Sequence, residues 1–170
     1  MQARNLGEIK TESCHCPLCH GISVVLIHCL GDQREVKPKM PCPCRSGKEY
    51  EECCKAYHTG LISPPSPILL MRSRYSAYAL GLATYIMETT HPQHPEAQKN
   101  HWQWREEILA FSRGTEFLDL DVLSSEESDD TAFVTFSVSL KQGNKEVSFT
   151  EKSRFEISEG LWLYKDAEFL

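Results

Sequence analysis

The chain has 170 residues, 41% of them hydrophobic, with 24 acidic and 18 basic side chains and a formal net charge of −6. That length suits one ordinary domain with a small appendage. The negative balance excludes a general nucleic-acid binder, which needs a basic surface to neutralise phosphates. All eight cysteines fall between Cys14 and Cys54. A disulfide-stapled secreted domain spreads its cysteines through the fold, so this clustering reads as metal binding in a reducing, cytoplasmic setting. The longest apolar run, Ile22–Leu30, falls well short of the ~20 residues of a membrane-spanning helix, and no small-x-small cleavage site follows it.

Residues 1–39 are Cys/His-containing and weakly patterned. Cys14, Cys16, Cys19 and Cys29, with His15, His20 and His28 close by, form a candidate second metal cluster. The alternative is a disordered, reduced leader. Residues 40–59 follow, with the run Pro41-Cys-Pro-Cys-Arg-Ser-Gly-Lys-Glu-Tyr-Glu-Glu-Cys-Cys54. Cys42 and Cys44 stand one residue apart, and Cys53 and Cys54 are adjacent. Two tight pairs of thiolates joined by a short polar loop suit a tetrahedral zinc ion. Adjacent cysteines rarely bridge each other, because disulfide geometry is demanding. A closed four-thiolate shell leaves no position for a substrate, so the site reads as structural, with metal binding supplying folding free energy to a segment too small for its own core.

Residues 60–66 form a linker whose prolines stop regular structure. Residues 67–170 then have the pattern of one α+β domain. Ser66 is placed to cap a helix beginning at Pro67, with Ile68, Met71, Tyr75, Tyr78, Ala79 and Leu82 as its apolar stripe. A short helix over Ala83–Thr90 stops before His91-Pro92. A third, over Ala97–Arg113, carries Trp104, Ile108 and Phe111 on one face, with Gly114 as its cap. Beyond it the period changes to two. Leu118, Leu120 and Val122 alternate with polar neighbours, and the acidic stretch Glu126–Asp130 reads as a solvated loop. Ala132 to Leu140 alternate strictly, a turn falls at Gln142-Gly143-Asn144, and strands follow over Val147–Ile157 and Leu161–Lys165. Helices followed by an antiparallel meander predict helices packed on one face of a curved sheet.

The four-cysteine run resembles the SEC-C motif, the zinc-binding element of the SecA translocation ATPase, at Cys42, Cys44, Ser46, Gly47, Tyr50, Cys53 and Cys54. That motif usually has glycine where this chain has Arg45, and a left-handed backbone there costs a non-glycine residue about 1–2 kcal/mol. Met71–Tyr78 (MRSRYSAY), Thr90-His91-Pro92, and Glu151, Ser153 and Phe155 resemble the YchJ family. In that family a SEC-C motif precedes a cone-shaped domain similar to nuclear transport factor two. Family members tend to begin just before the motif, which makes residues 1–39 an extension or an early-assigned start.

Three functional expectations follow. By analogy with SEC-C, the zinc module recognises a protein or ribosome, with Arg45, Lys48 and Lys55 as a positive rim. Alternatively the cone binds a small ligand or is an enzyme. Glu151 and Ser153 interrupt the apolar face of their strand, so Glu151 is either paired with Arg72 or Arg74 or lines a wet cavity. Glu151 with His91 is the catalytic acid/base pair to test. A third reading, metal handling by both cysteine clusters, requires more than one zinc per chain. Trp102, Trp104 and Trp162 fall on core or rim positions with no basic pattern around them, which argues against base stacking.

Overall fold

A computed structural model describes residues 40–170, which lie in one compact unit. The candidate cluster at Cys14, Cys16, Cys19 and Cys29 lies outside the described residues. Among the described residues four α-helices precede five strands: α1 (Lys55–His58), α2 (Pro67–Leu80), α3 (Ala83–Glu88) and α4 (His101–Gly114), then β1 (Glu116–Glu127), β2 (Thr131–Gln142), β3 (Lys145–Glu146), β4 (Phe149–Ser158) and β5 (Leu161–Phe169). The strands form one antiparallel sheet in the order β1-β2-β4-β5, with β3 beside β2. The expected α+β class, with helices on one face of an antiparallel sheet, is the class observed.

Alternation dictates the sheet's inner face. Ala132, Val134, Val138 and Leu140 of β2 are buried, and Leu120 of β1 and Phe155 of β4 complete the layer that receives Leu70, Met71 and Tyr75 of α2. Register shifts in β1, at Phe117/Asp119 and Val122/Ser124, and between β4 and β5, at Arg154/Phe155, bend the sheet around that helix. The stretch expected to be an acidic loop is shorter than predicted. Glu126 and Glu127 pair with Phe133 and Ala132, so the strand continues through them and turns only at Ser128–Asp130. Cross-strand pairing outweighs the poor strand propensity of exposed acids.

The helix α2 begins as expected. The Ser66 hydroxyl accepts a bond from the Leu69 amide at 3.4 Å. It stops at Gly81, whose left-handed φ of 72° lets its amide reach back to Ala77 and Tyr78. Its burial exceeds one apolar stripe. Leu70, Met71 and Tyr75 meet the sheet, Ala77 joins the α3–α4 cluster, and Leu80 packs on the cysteines. The third helix starts later than predicted, at His101. The Asn100 side chain caps it by accepting from the amides of Trp102 and Gln103, and Pro95–Gln98 forms a separate 3-10 turn. Gly114 is its last residue rather than a left-handed cap, and the chain leaves through extended Thr115. Trp104 is buried in the α3–α4 cluster, whereas Trp102 is exposed on the first turn of α4.

Candidate functional site

The cysteine segment is a small hairpin followed by a turn. Pro41 bridges Glu49, the Cys42 amide bonds the Lys48 carbonyl at 2.8 Å, and the Tyr50 amide bonds the Met40 carbonyl at 2.9 Å. Two residues with positive φ, Arg45 at 57° and Gly47 at 79°, close the loop between its arms. Arg45 thus stands in the conformation for which glycine is the usual residue. A 3-10 turn at Tyr50–Glu52 then presents Cys53 and Cys54 at the start of α1.

These two pieces bring the four predicted ligands together. The sulfurs of Cys42, Cys44, Cys53 and Cys54 all lie within 4.8 Å of one another, with Cys44 to Cys53 at 3.5 Å and Cys53 to Cys54 at 3.9 Å. Metal–sulfur bonds of ~2.3 Å in a tetrahedron require edges of ~3.8 Å, so the donor set fits a metal ion in size and type. As thiols alone Cys44 and Cys54 hold their protons very differently. Hydrogen bonds from Cys42 and Cys54 hold Cys44 ionised, far below the usual thiol range, and the same contacts with desolvation push Cys54 far above it. Only a cation among them allows all four to ionise together. The Ser46 hydroxyl lies 3.2 Å from the Cys53 sulfur and the Ser76 hydroxyl 3.7 Å from that of Cys42.

The module is fastened to α2. The Arg72 guanidinium donates to the Cys44 carbonyl at 2.6 Å. Arg45 reaches the other way, donating to the Leu118 carbonyl of β1 and standing 3.8 Å from the Asp119 carboxylate. His58 is the third tie: its Nε2 lies 2.9 Å from the Ser73 carbonyl and its Nδ1 2.9 Å from the Tyr50 hydroxyl. A carbonyl only accepts, so Nε2 carries the proton and Nδ1 accepts from Tyr50. Burial lowers the His58 pKa and keeps the ring neutral.

The second site is a cavity of about 460 Å³ between the sheet and the helices α2 and α4. Its walls are mainly aromatic and aliphatic. Glu96, Glu107, Glu151, Ser153, Arg74 and the tyrosines Tyr75, Tyr78 and Tyr164 supply its polar groups. The ion pair considered from the sequence does not form among the described residues. Arg72 serves Cys44 instead. Arg74 donates through Nη1 to the Ile86 carbonyl at 2.9 Å, Thr89 Oγ1 at 2.7 Å and Thr90 Oγ1 at 3.1 Å, and its guanidinium lies 4.6 Å from the Tyr164 ring centre. Glu151 accepts a hydrogen bond from Ser153. Burial raises the Glu151 pKa despite that bond and the field of Arg74. Burial likewise raises the pKa values of Tyr78 and Tyr164, whose phenols stay protonated.

His91 does not join Glu151. Its Nδ1 accepts from the Gln93 amide at 3.1 Å, and its Nε2 lies 3.9 Å from Glu156, which alternates onto the other face of β4. Its backbone explains the Thr90-His91-Pro92 sequence better than its ring does. The His91 amide bonds the Tyr164 carbonyl at 2.8 Å, and the Tyr164 amide bonds the Thr89 carbonyl at 2.9 Å. The end of α3 is thereby stitched to the outer edge of the sheet, covering an edge strand.

Sequence reasoning missed Arg72 and His58 as fasteners and Tyr78, Trp104 and Tyr164 as cavity walls. One signal was present. Helical residues two apart point ~200° from each other, so Arg72 and Arg74 could not share a partner.

The arrangement defines a class of protein: a small metal-binding cysteine module seated on an α+β domain with a cavity between helices and sheet. Residues 41–56 match the SEC-C motif, and residues 66–167 match the family described as YchJ, middle NTF2-like domain. The chain belongs to this YchJ-like family, whose relatives carry the name UPF0225. It is 37% identical over 138 residues to a UPF0225 protein of Streptomyces coelicolor, covering 78% of this chain and 98% of that protein. A UPF0225 protein of Deinococcus radiodurans is 37% identical, over 76% and 90% respectively. Among solved structures, a SEC-C motif containing protein from Rhodopseudomonas palustris superposes with a TM-score of 0.68 at 36% identity, covering 77% of this chain and 99% of that one. Another from Psychrobacter arcticus gives 0.62 at 26% identity, covering 74% and 80%. No helix among the described residues is long and apolar enough to cross a membrane.

Proposed function

We propose that this protein binds a small molecule in its aromatic cavity and uses a zinc ion, held by Cys42, Cys44, Cys53 and Cys54, as a structural clamp. The observation that carries this reading is Glu151, a half-buried, partly desolvated carboxyl on the wall of a cavity of about 460 Å³ with no ion-pair partner among the described residues. Ligand sites are commonly apolar hollows of ~300–1,000 Å³ with a few placed polar groups. The metal has the opposite character. Three of its four ligands are buried and the loop is tied to α2 and β1, so the ion supports the helix that forms one cavity wall. Thiolates favour zinc, and the free state of all four cysteines suits a reducing compartment such as the cytoplasm.

Docking of the module to a protein or ribosome receives less support. Of the three cations expected on its rim, Arg45 is engaged by β1 and Lys55 pairs with Glu51. An acid/base enzyme also receives less support, because His91 is turned away from Glu151. Titration of the full-length protein with an apolar environment-sensitive dye tests the cavity: one saturable site per chain is expected, and absence of saturable binding refutes the reading. Metal analysis of the same preparation tests the clamp, with zinc expected and lost in Cys44→Ser.

A further inference from the structure

We propose that the cavity selects a cationic amphiphile: an amine on an aromatic or alkyl body, with Glu151 as its counter-ion. This rests on the small-molecule reading of the cavity. The charges of the lining decide the sign of the ligand. Three carboxyl groups, Glu96, Glu107 and Glu151, stand against one guanidinium, that of Arg74. Arg74 is fixed in place by neutral groups, Ile86, Thr89 and Thr90, and lies over the Tyr164 ring, so its charge reaches Glu151 only as a field across the cavity and not as an ion pair. Lys99 bridges Glu96 at 2.8 Å and Glu107 at 3.0 Å, so a single ammonium serves both of those carboxylates and none serves Glu151.

The walls suit the same ligand. Tyr78, Trp104, Phe111 and Phe149 present aromatic surface around the hollow. Aromatic faces attract cations, more strongly where water is excluded. An amine entering this space meets those faces and a carboxyl group that its charge would hold ionised. A neutral ligand gains only apolar burial. An anion meets Glu151 directly, with the field of Arg74 as partial relief. The apolar remainder of the lining accommodates the body of the molecule.

The test is calorimetric titration of the full-length, metal-loaded protein with three probes that share an indole-ethyl body and differ in terminal charge: tryptamine, tryptophol and indole-3-propionate. Tryptamine is expected to bind about tenfold or more tighter than tryptophol, and the propionate weakest. Glu151→Gln is expected to remove the preference for the amine, so that tryptamine and tryptophol bind that variant within about twofold of each other. Circular dichroism and thermal melting of that variant confirm that it is folded. Equal binding of amine and alcohol, or tightest binding of the propionate, overturns the cationic assignment while the cavity reading stands. If none of the three binds while the environment-sensitive dye still saturates one site per chain, the cationic assignment falls and the cavity reading stands. Retention of the amine preference in Glu151→Gln also overturns the role given to that residue.

Discussion

Replacement of Arg45 separates two opposed effects in one loop. Its φ of 57° places a branched-off Cβ in the left-handed region, at a cost of about 1–2 kcal/mol relative to glycine. Against this, the guanidinium donates to the Leu118 carbonyl and faces Asp119 at 3.8 Å. The two side chains are 47% and 57% exposed, so the ion pair contributes about 0–1 kcal/mol and the hydrogen bond about 0.5–1.5 kcal/mol. Arg45→Ala loses the contacts and keeps the strain, so it is expected to destabilise by about 1–2 kcal/mol. Arg45→Gly loses the same contacts and relieves the strain, and ends near the wild type. The difference between the two variants isolates the backbone: about 1–2 kcal/mol, or about 2–8 °C in melting temperature for a chain of this size. Urea and thermal unfolding of the metal-loaded proteins measure it. Competition against a chromophoric chelator adds a local readout, with Arg45→Gly holding metal more tightly than Arg45→Ala. If Arg45→Ala equals or exceeds Arg45→Gly in stability, the left-handed strain at this position is not real.

Three further perturbations probe the remaining structure. Cys44→Ser removes a fully buried ligand and is expected to abolish stoichiometric metal and lower stability by about 3 kcal/mol or more; elemental analysis and melting, with chelator-treated wild type alongside, check it. Glu151→Gln is expected to stabilise the fold at pH 7 by about 1 kcal/mol. The raised pKa of Glu151 means its stabilising contribution is complete below the ordinary glutamate range and is lost as pH rises through the folded value, so the variant's advantage in urea melts must shrink from pH 7 toward pH 4.5. His58→Gln leaves the Ser73 and Tyr50 contacts incomplete and is expected to cost about 2 kcal/mol. The lowered pKa of His58 gives the opposite sign: its contribution is complete above the ordinary histidine value of 6.5 and declines as pH falls below it, a decline that the variant should lack. An unchanged acid limb in His58→Gln would show that the ring does not titrate in this way.

Much of the fold could be read along the chain, because the information was local. The strict alternation from Ala132 to Leu140 becomes β2 with its even-numbered residues buried. Ser66 and Pro67 start α2 as their chemistry requires. The boundaries that moved did so where local signals competed. Asn100 won the N-terminus of α4 over a start at Ala97, and pairing with β2 carried β1 through Glu127.

By itself, the sequence determined the ligand chemistry: which four sulfurs gather, why they suit a metal, and why that centre is closed. Spacing of a few residues favours such a cluster, since closing a short loop between the two pairs costs little entropy. Only the tertiary structure decided the destinations of the long polar side chains. Arg72 reaches the Cys44 carbonyl, Arg74 the end of α3, Arg45 the backbone of β1, and His91 the side of Glu156, which leaves Glu151 with Ser153 on a cavity wall. An arginine spans several ångströms and satisfies any of many acceptors. Its partner is therefore set by which elements pack around it, over sequence separations that no local pattern encodes.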